Sequence, residues 1–365
     1  MSRVKLADVI IRANTKVDKD HTDLKYYVGG EHFESGNVTV EQRGLIEGST
    51  IGPMFYYGFK AGQFLLVSRN PHLKKAGVVD FDGICSEKTF VLQTANPEVL
   101  IPEYLPFVLQ NDRFWDYAVE HKHGSTNFFI NWSTLADYEF ELPSVEEQNR
   151  VATLAWAAHR LKKEYHKLIE ATDNLVKSQF IEMFGDPNNN ANTVSFETAF
   201  TIRDDLRKPI NDSVRSEMHE NAMYPYYGAN GQVDTINQYL MDCTALCLAE
   251  DCGAYGAGEA SSYIVSGKCW VNNHAHVIIP KECCDLHYAN AFFKILDMTP
   301  YVSGSTRLKL TQGKMKEIPV VLPSIGEQMK FAAIVKQSDK SKFELQQAIE
   351  KVDNLIKSLI QQDNN

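Results

Sequence analysis

An internal repeat with a period of 180 residues constrains this 365-residue chain more than any other feature. His123-Gly-Ser-Thr-Asn127 aligns with Ser303-Gly-Ser-Thr-Arg307, and Asp173-Asn-Leu-Val-Lys-Ser178 aligns with Asp353-Asn-Leu-Ile-Lys-Ser358. Over 124–182 against 304–362, 18 of 59 positions are identical without a gap, which indicates a duplication. A divergent block of similar length precedes each conserved stretch. The chain therefore alternates variable and constant parts.

Composition sets the broad class. At 41.3 kDa, with 44% hydrophobic and 23% charged residues, we expect two or three globular domains with sizeable cores. We find no apolar run near the twenty residues of a membrane span, and no apolar signal core follows Met1. Seven cysteines without a dense framework indicate free thiols in a reducing compartment, so we expect a cytoplasmic protein.

The formal net charge of −10 opposes binding to nucleic acid by bulk attraction. Neither variable block and neither constant part has a net positive charge. If the chain binds DNA, local basic clusters or a basic partner must overcome the repulsion.

The constant parts predict long helices. Leu-Pro-Ser precedes a capping box in each copy, Ser144 to Glu147 and Ser324 to Glu327. Apolar residues then recur at alternating steps of three and four, as in a coiled-coil seam. The first seam reads Val151, Leu154, Ala158, Leu161, Tyr165, Leu168, Thr172, Leu175 and Gln179. The second reads Phe331, Ile334, Ser338, Ser341, Leu345, Ala348, Val352, Leu355 and Leu359.

The length of these helices separates two interpretations. A helix from 145 to 183 is roughly 58 Å long, which exceeds an ordinary core helix. We expect the two copies to pair as an antiparallel coiled coil that spaces the variable blocks, with approximate two-fold internal symmetry. The alternative is two ordinary core helices.

Each variable block is predicted to be α+β with the same order of elements. Strands are predicted at 62–68, 89–92, 245–248 and 276–279, and helices at 101–110 and 286–294. The fold class is thus α+β, with two globular recognition domains and two long helices. The predicted boundaries are 1–143 for the first domain, 144–186 for the first helix, 187–193 for a linker, 194–323 for the second domain and 324–365 for the second helix.

These motifs together resemble the specificity subunit of type I restriction–modification systems. The resemblance rests on the Gly-Ser-Thr triplets, the Leu-Pro-Ser…Glu-Gln helix starts and Phe180-Ile-Glu-Met-Phe-Gly-Asp-Pro187. It covers essentially the whole chain. The second helix lacks a Phe-Gly-Asp-Pro copy, since it ends at Gln362-Asp-Asn-Asn365.

The resemblance implies a non-catalytic subunit with two target-recognition domains, each of which reads one half of a bipartite site in double-stranded DNA. It implies that the conserved helices set the distance between the halves and bind two modification (methyltransferase) subunits, which restriction subunits then join. It implies no cofactor in this chain. S-adenosylmethionine, ATP and Mg²⁺ are expected on the partner subunits, in the cytoplasm.

Polar loops are the candidate DNA-binding residues, because Arg, Asn and Gln pair with base edges and hydroxyls suit phosphates. In the first block they are Arg69, Asn70, Lys74, Lys75, Lys122, Ser125, Thr126 and Asn127. In the second block they are Tyr227, Asn230, Gln232, Asn272, Asn273, Ser305, Thr306, Arg307 and Lys309. Since the two blocks differ, we expect two different half-sites around a fixed number of unread base pairs.

Other chemistry has weaker support. Asn188 follows Asp186-Pro187, so the Asn/Asp-Pro-Pro-aromatic motif of adenine methyltransferases is absent, and no Walker loop is present. Gly253-Ala-Tyr-Gly-Ala-Gly258 fits a mobile loop better than a phosphate cradle.

Two rival functions remain open. A coiled-coil adaptor that binds proteins would suit the acidic charge. A zinc-dependent enzyme would rest on scattered ligand types without a zinc-site spacing, namely Cys243, Cys247, Cys252, Cys269, Cys283, Cys284, His274, His276 and His287.

Overall fold

A computed structural model describes residues 2–304 and 307–362 and divides the chain into two compact units. The first unit is Met1–Tyr165 with Gln347–Asn365, and the second is His166–Gln346. Each unit combines a variable block with one segment of each long helix. No helix in the described ranges is long and apolar enough to cross a membrane.

The first block has two four-stranded sheets and one short strand pair. Its elements are β1 (Ser2–Lys5), α1 (Leu6–Val9), β2 (Ile10–Ala13), β3 (Tyr26–Val28), β4 (Gly44–Leu45), β5 (Phe55–Phe59), β6 (Phe64–Val67), β7 (Ala76–Val78), β8 (Gly83–Ser86), β9 (Thr89–Thr94), α2 (Leu105–Leu109), α3 (Asp112–Glu120), α4 (Trp132–Ala136) and β10 (Glu139–Leu142). One sheet has the order β2-β9-β6-β7 and the other β4-β3-β8-β5, in which β3 and β8 are parallel. Strand β1 pairs with β10.

The second block repeats this topology. After α5 (Val145–Phe184), its elements are β11 (Thr193–Val194), α6 (Phe196–Ala199), β12 (Phe200–Ile202), α7 (Asp212–Glu217), β13 (Tyr224–Gly228), β14 (Gly231–Ile236), β15 (Met241–Asp242), β16 (Ala245–Ala249), β17 (Ser262–Val265), β18 (Lys268–Val271), β19 (Ala275–Pro280), α8 (Leu286–Ile295), α9 (Gln312–Lys316), β20 (Val320–Val321) and α10 (Ile325–Gln362). Its sheets are β12-β19-β16-β17 and β14-β13-β18-β15, with β13 and β18 parallel, and β11 pairs with β20. The duplication therefore includes the divergent blocks, and the α+β fold class is confirmed.

The central strands explain why each block folds this way. Every residue of β6 and of β16 is buried, as expected for an apolar strand covered on both faces. The predicted helix at 286–294 is confirmed as α8. The one at 101–110 is shorter, α2 being Leu105–Leu109, with Pro106 in its first turn, where a missing N–H costs nothing.

A buried glutamine joins each long helix to its block. Gln148 is fully buried, accepts a hydrogen bond from Ile101 N at 3.0 Å, and donates to Val99 O and Pro143 O at 2.9 Å each. All three hydrogen bonds are with backbone atoms, so the glutamine of the Glu-Gln motif ties the helix start to the chain around it.

Gln328 repeats this arrangement in the second copy. It accepts from Asp285 N at 2.8 Å and donates to Cys283 O at 2.9 Å and Pro323 O at 2.8 Å. The Glu-Gln pair of the repeat is therefore a structural signature of the helix start.

The predicted capping boxes are each half formed. The Ser144 hydroxyl accepts from Glu147 N at 3.3 Å, whereas in the second copy Ser324 N donates to the Glu327 carboxylate at 3.2 Å. Helix α5 ends as predicted, because Gly185 adopts φ +84° there.

The long helices pair antiparallel within each unit. In the first unit Lys162 Nζ lies 2.7 Å from Asp353 Oδ1, and in the second Lys342 Nζ lies 2.7 Å from Asp173 Oδ1. The rings of Phe180 and Phe331 also pack edge to face in the second unit, with 5.4 Å between centroids, so residue numbers rise along α5 as they fall along α10. The predicted coiled-coil pairing of the two copies is confirmed.

The first seam is correct at every second predicted position and wrong at the positions between, whereas in the second seam Leu355 is the exposed position. Leu154, Leu161, Leu168 and Leu175 are 46%, 44%, 51% and 56% exposed. The less exposed positions lie one residue later, at Ala155, Lys162, Ile169 and Val176. Alternation of three and four steps fits both stripes, and leucine is the more apolar residue. Small Ala155 instead enters the core of the first block, which decides the helix orientation.

Candidate nucleic-acid interface

The segments that begin at His123 and Ser303 are closed by the same pair of backbone hydrogen bonds. His123 N donates to Phe129 O at 2.7 Å and Phe129 N to His123 O at 3.0 Å, and Ser303 and Lys309 exchange the equivalent bonds at 3.0 and 2.8 Å. We call 123–129 the first loop and 303–309 the second loop. Residues 305 and 306 lie outside the described residues.

Glycine is required at the same point of both loops. Gly124 has φ +93° and Gly304 has φ +109°, a region that other residues rarely adopt. A Cβ at Gly124 would lie 2.6 Å from Asn127 O. This explains the glycine of the repeated motif without any contact to a ligand.

Each loop is attached to the end of a central strand. Ile130 N donates to Ser68 O at 2.9 Å after β6, and Leu310 N donates to Glu250 O at 2.7 Å after β16. Strand pairing makes Ser68 equivalent to Glu250 and Arg69 equivalent to Asp251. The loop and the strand end form one surface in each block, and we call it the loop–strand surface.

The first loop–strand surface gathers most of the predicted residues of its block. Arg69 is exposed, and its backbone forms an isolated antiparallel β-bridge with Phe129. Asn70, at φ +50°, donates its N–H to Phe128 O at 2.8 Å. The Lys122 ammonium lies 4.9 Å from the Phe128 ring centroid. Exposed Ser125, Thr126 and Asn127 complete the surface.

Lys74 and Lys75 have structural partners. Lys74 Nζ lies 2.7 Å from Asp112 Oδ1, and hydrogen bonding to Lys74 holds the pKa of Asp112 below its ordinary value against the opposing effect of burial. Lys75 Nζ donates to Gly30 O at 2.7 Å. Both ammonium groups therefore stabilise neighbouring segments of the first block.

The second loop–strand surface carries paired charges. Arg307 Nη2 lies 2.9 Å from Asp251 Oδ2, and Lys309 Nζ lies 2.7 Å from Glu250 Oε1. The acids follow β16 and were not predicted. Their signal in the sequence is an acidic pair, Glu250-Asp251, directly after a wholly apolar strand.

The other predicted residues of the second block lie on its strands and turns. Asn272 is buried, its N–H donates to Tyr227 O at 3.0 Å, and Tyr227 stacks on Tyr263 at 5.6 Å. Burial raises the pKa of Tyr227. Asn230 is exposed and donates to Ala260 O at 2.8 Å.

Gln232 and Asn273 are also exposed. The Gln232 amide donates to Asp234 O at 3.1 Å, and the Asn273 carbonyl accepts from Arg207 at 3.0 Å. The contact to Arg207 brings Asn273 next to the residues that support the second loop.

A buried histidine supports the second loop. His276 is 1% exposed, with Nδ1 2.7 Å from Asp204 Oδ2 and Nε2 2.8 Å from Leu310 O. A carboxylate oxygen and a backbone carbonyl oxygen thus face the two ring nitrogens. Arg207 completes the network, with Nη2 3.0 Å from Asp204 Oδ2 and Nη1 hydrogen-bonded to Glu250.

The charges of this network hold its acids ionised. Burial alone would raise the pKa of Asp204, but the hydrogen bond and charge of His276, with Arg207, hold it below the ordinary value. Burial would likewise raise the pKa of Glu250, but hydrogen bonds from Lys309 and Arg207 keep it low. Sequence reasoning missed this network because its members lie far apart along the chain.

The equivalent place in the first block is aromatic. Phe90 occupies the position of His276 and packs on Trp132 at 6.0 Å between ring centroids. The Arg12 guanidinium lies 4.8 Å from the Phe90 centroid and 5.4 Å from that of Tyr57. The same scaffold thus carries a cation on aromatic rings in one block and buried ion pairs in the other.

The cysteines are free thiols, as predicted. Burial raises the pKa of Cys247 and of Cys284 to about 12 each, so both remain protonated. Among residues 2–304 and 307–362, no group of three or more His, Cys, Asp or Glu side chains is placed to hold a metal ion.

Known proteins are similar in sequence to parts of this chain. Residues 206–352 match the family model described as the type I restriction modification DNA specificity domain. A putative type I restriction enzyme specificity subunit from Haemophilus influenzae is 30% identical over 137 residues, which cover 37% of this chain and 34% of that protein. The EcoprrI specificity subunit of Escherichia coli is 26% identical over 120 residues, 33% of this chain and 29% of that protein. The aligned stretches span about a third of these relatives.

Solved structures share the fold over nearly the whole chain. The S subunit of a type I restriction–modification system from M. genitalium has a TM-score of 0.59 and 13% identity, and the match covers 100% of this chain and 96% of that one. A chain from a structure of type I restriction–modification complex assembly and conformational transition has a TM-score of 0.55 and 15% identity, over 99% and 97%. The resemblance inferred from the motifs is confirmed.

Proposed function

We propose that this chain, whose residues 206–352 match the type I restriction–modification DNA specificity domain, is the specificity subunit that reads a bipartite site in double-stranded DNA. The observation that carries the proposal is one scaffold with two chemistries. Both blocks hold a Gly-Ser-Thr loop on the end of a central strand by the same backbone bonds. The side chains on the two loop–strand surfaces nevertheless differ in kind.

This combination suits two related readers of different sequences. A shared backbone presents each loop to DNA in the same way, and phosphates can be bound identically by both blocks. Base edges are discriminated by side chains, and these differ between the blocks. Arg69 and Asn127 of the first block occupy the positions that Asp251 and Arg307 occupy in the second. We therefore infer two half-sites of unlike sequence.

The exposed leucines suggest where partner subunits bind. Leu154, Leu161, Leu168 and Leu175 recur every seven residues along α5, and each is at least 44% exposed. A repeated apolar stripe of this kind suits helices of another protein. We infer that two modification subunits dock on the long helices, and that restriction subunits join them.

Catalysis then belongs to the partners. In this proposal the chain transfers no group itself and needs no cofactor, while S-adenosylmethionine, ATP and Mg²⁺ are used by the modification and restriction subunits. The assembled complex would act in the cytoplasm. The net charge of −10 supports a division of labour in which the modification subunits supply much of the positive surface.

Methylation of the native genome tests the function. Methylated bases are mapped by single-molecule sequencing in cells with the gene, without it, and with the deletion complemented by the wild-type gene. We expect one bipartite motif to lose methylation on deletion and to regain it on complementation. An unchanged methylome, in cells shown to express the protein and a partner methyltransferase, would favour the protein-binding adaptor.

A further inference from the structure

Two nearly buried acids hold the cations of the second loop. Glu250 and Asp251 expose only 12% and 13% of their side chains, whereas Lys309 and Arg307 expose 50% and 65%. The carboxylates are therefore the fixed ends of the two ion pairs. The cations are the ends that can move toward a ligand.

Backbone and side-chain contacts fix the acids in place. Glu250 N donates to His274 O at 2.8 Å, and Glu250 O accepts from Leu310 N at 2.7 Å. The Asp251 carboxylate lies 2.9 Å from His274 Nδ1. The position of each acid is thus set by the fold, whether or not its cation remains bound.

The first block has no acid at either equivalent position. Ser68 replaces Glu250 and Arg69 replaces Asp251, while Asn127 and Phe129 replace the two cations of the loop. The first loop–strand surface thus presents a cation from the strand end. On the second loop–strand surface, acids at the strand end neutralise cations of the loop. The first loop closes by the same backbone hydrogen bonds without an acid at either position.

We propose that Glu250 and Asp251 are specificity-determining residues, which neutralise Lys309 and Arg307 against non-cognate DNA and release them to a matching half-site. A phosphate that binds either cation must displace an ion pair, and the nearly buried carboxylate then keeps one partner instead of two: Arg207 for Glu250 and His274 for Asp251. DNA of any sequence supplies the phosphate. Only a base edge with an amino donor, such as N4 of cytosine, can also satisfy the freed carboxylate.

This inference rests on the proposed DNA-reading function. It adds that Glu250 and Asp251 suppress non-specific binding, because they compete with DNA phosphates for Lys309 and Arg307. Removing the competitor should therefore strengthen binding to the wrong DNA, a gain that general damage to the protein does not produce.

The test uses the complex of the full chain with its modification subunits. Fluorescence anisotropy measures the Kd for a duplex with the motif found in the methylome and for a scrambled duplex of equal length, over a series of salt concentrations. For Asp251→Asn and for Glu250→Gln we expect scrambled-duplex affinity to rise about fivefold, and the slope of log K against log salt to steepen by about 0.9 per freed cation. The ratio of motif to scrambled affinity should fall.

Asp205→Asn is the matched control. It removes the same charge from the same block and breaks an exposed ion pair, since Asp205 is 62% exposed and lies 2.8 Å from Arg203. We expect a smaller change in scrambled-duplex affinity and an unchanged slope. The double variant Asp251→Asn with Arg307→Gln should return the slope to the wild-type value, because the freed cation is then absent.

Arg307→Gln alone makes the test independent of any folding defect in the acid variants. Its side chain is largely exposed, and in the wild-type background its charge is already neutralised, so the scrambled-duplex slope should not change. A slope shallower by about 0.9 would overturn the proposal, as would an Asp251→Asn variant that matches Asp205→Asn. If wild-type complex does not prefer the motif, the DNA-reading function itself fails, which is a distinct outcome.

Discussion

Lys162 and Asp353 form an ion pair whose copy is Lys342 with Asp173. The Nζ–Oδ1 distance is 2.7 Å in both pairs. The two pairs are related by the 180-residue repeat, since Lys162 corresponds to Lys342 and Asp173 to Asp353. Each lysine lies on the half-buried side of its helix, between apolar seam positions. Polar groups in a seam specify register and orientation, so the two pairs favour antiparallel pairing.

Reversing one charge of such a pair should weaken the helix pairing. Lys162→Asp places two acids together, and we expect a loss of about 1 kcal/mol in the free energy of unfolding, reduced by screening because both side chains are a third or more exposed. Lys162→Asp with Asp353→Lys should recover most of that loss. Chemical unfolding of wild type, Lys162→Asp, Asp353→Lys and the double variant measures the coupling, with exposed Lys336→Asp as control. A double variant no more stable than Lys162→Asp would contradict the register role.

The buried glutamines should be essential to stability. Gln148→Leu or Gln328→Leu leaves one N–H and two carbonyls without partners, and we expect a loss of about 3 kcal/mol in the free energy of unfolding. Gln337→Leu, on the exposed side of α10, should change it by less than about 0.5 kcal/mol. Thermal and urea unfolding compare the three. Equal effects at Gln148 and Gln337 would show that the hydrogen bonds are dispensable.

Shortening both helices by one heptad should move the half-sites closer. Deletion of 166–172 with 343–349 keeps the heptad phase and removes about 10 Å of helix, so we expect the unread spacer to shorten by about three base pairs. Methylome sequencing of the variant strain reads the spacer directly. Deletion of three residues from each helix breaks the phase and should abolish methylation. An unchanged spacer after the heptad deletion would argue against a spacing role.

Acid should destabilise the second block through Asp204. Its pKa is held below the ordinary 3.8 despite burial, by His276 and Arg207, so its stabilising contribution is complete above pH 4 and disappears as pH falls through the lowered pKa. We expect the free energy of unfolding of wild type to fall steeply in that acidic range and that of Asp204→Asn to fall less. Asp212→Asn, whose side chain is 90% exposed, is the control. Parallel curves for wild type and Asp204→Asn would refute this.

The long helices show what a sequence pattern can predict and what it cannot. The heptad phase correctly placed Val151, Ala158 and Phe331 on the buried side. It could not distinguish that seam from the leucine stripe beside it, because both fit alternating steps of three and four. The globular block made the choice by packing on Ala155.

The candidate interface was also predictable from the sequence only in part. The Gly-Ser-Thr repeat predicted two equivalent loops; Arg307 lies on the second loop, and Arg69 lies on the strand end beside the first. The partners of the loop were not predictable: Glu250 and Asp251 precede the second loop by a long stretch of sequence. Only strand pairing of β16 with β19, and attachment of the loop to β16, bring acids and cations together.

The sequence by itself determined the duplication, the α+β class, the two long helices and the glycine of each loop, because all of these depend on local spacing or on identity between copies. The tertiary structure alone decided which helix stripe is buried and which charges of the loops are neutralised. Those outcomes depend on contacts between residues far apart in the chain, whose burial and ion pairing exist only after the sheets and helices have packed.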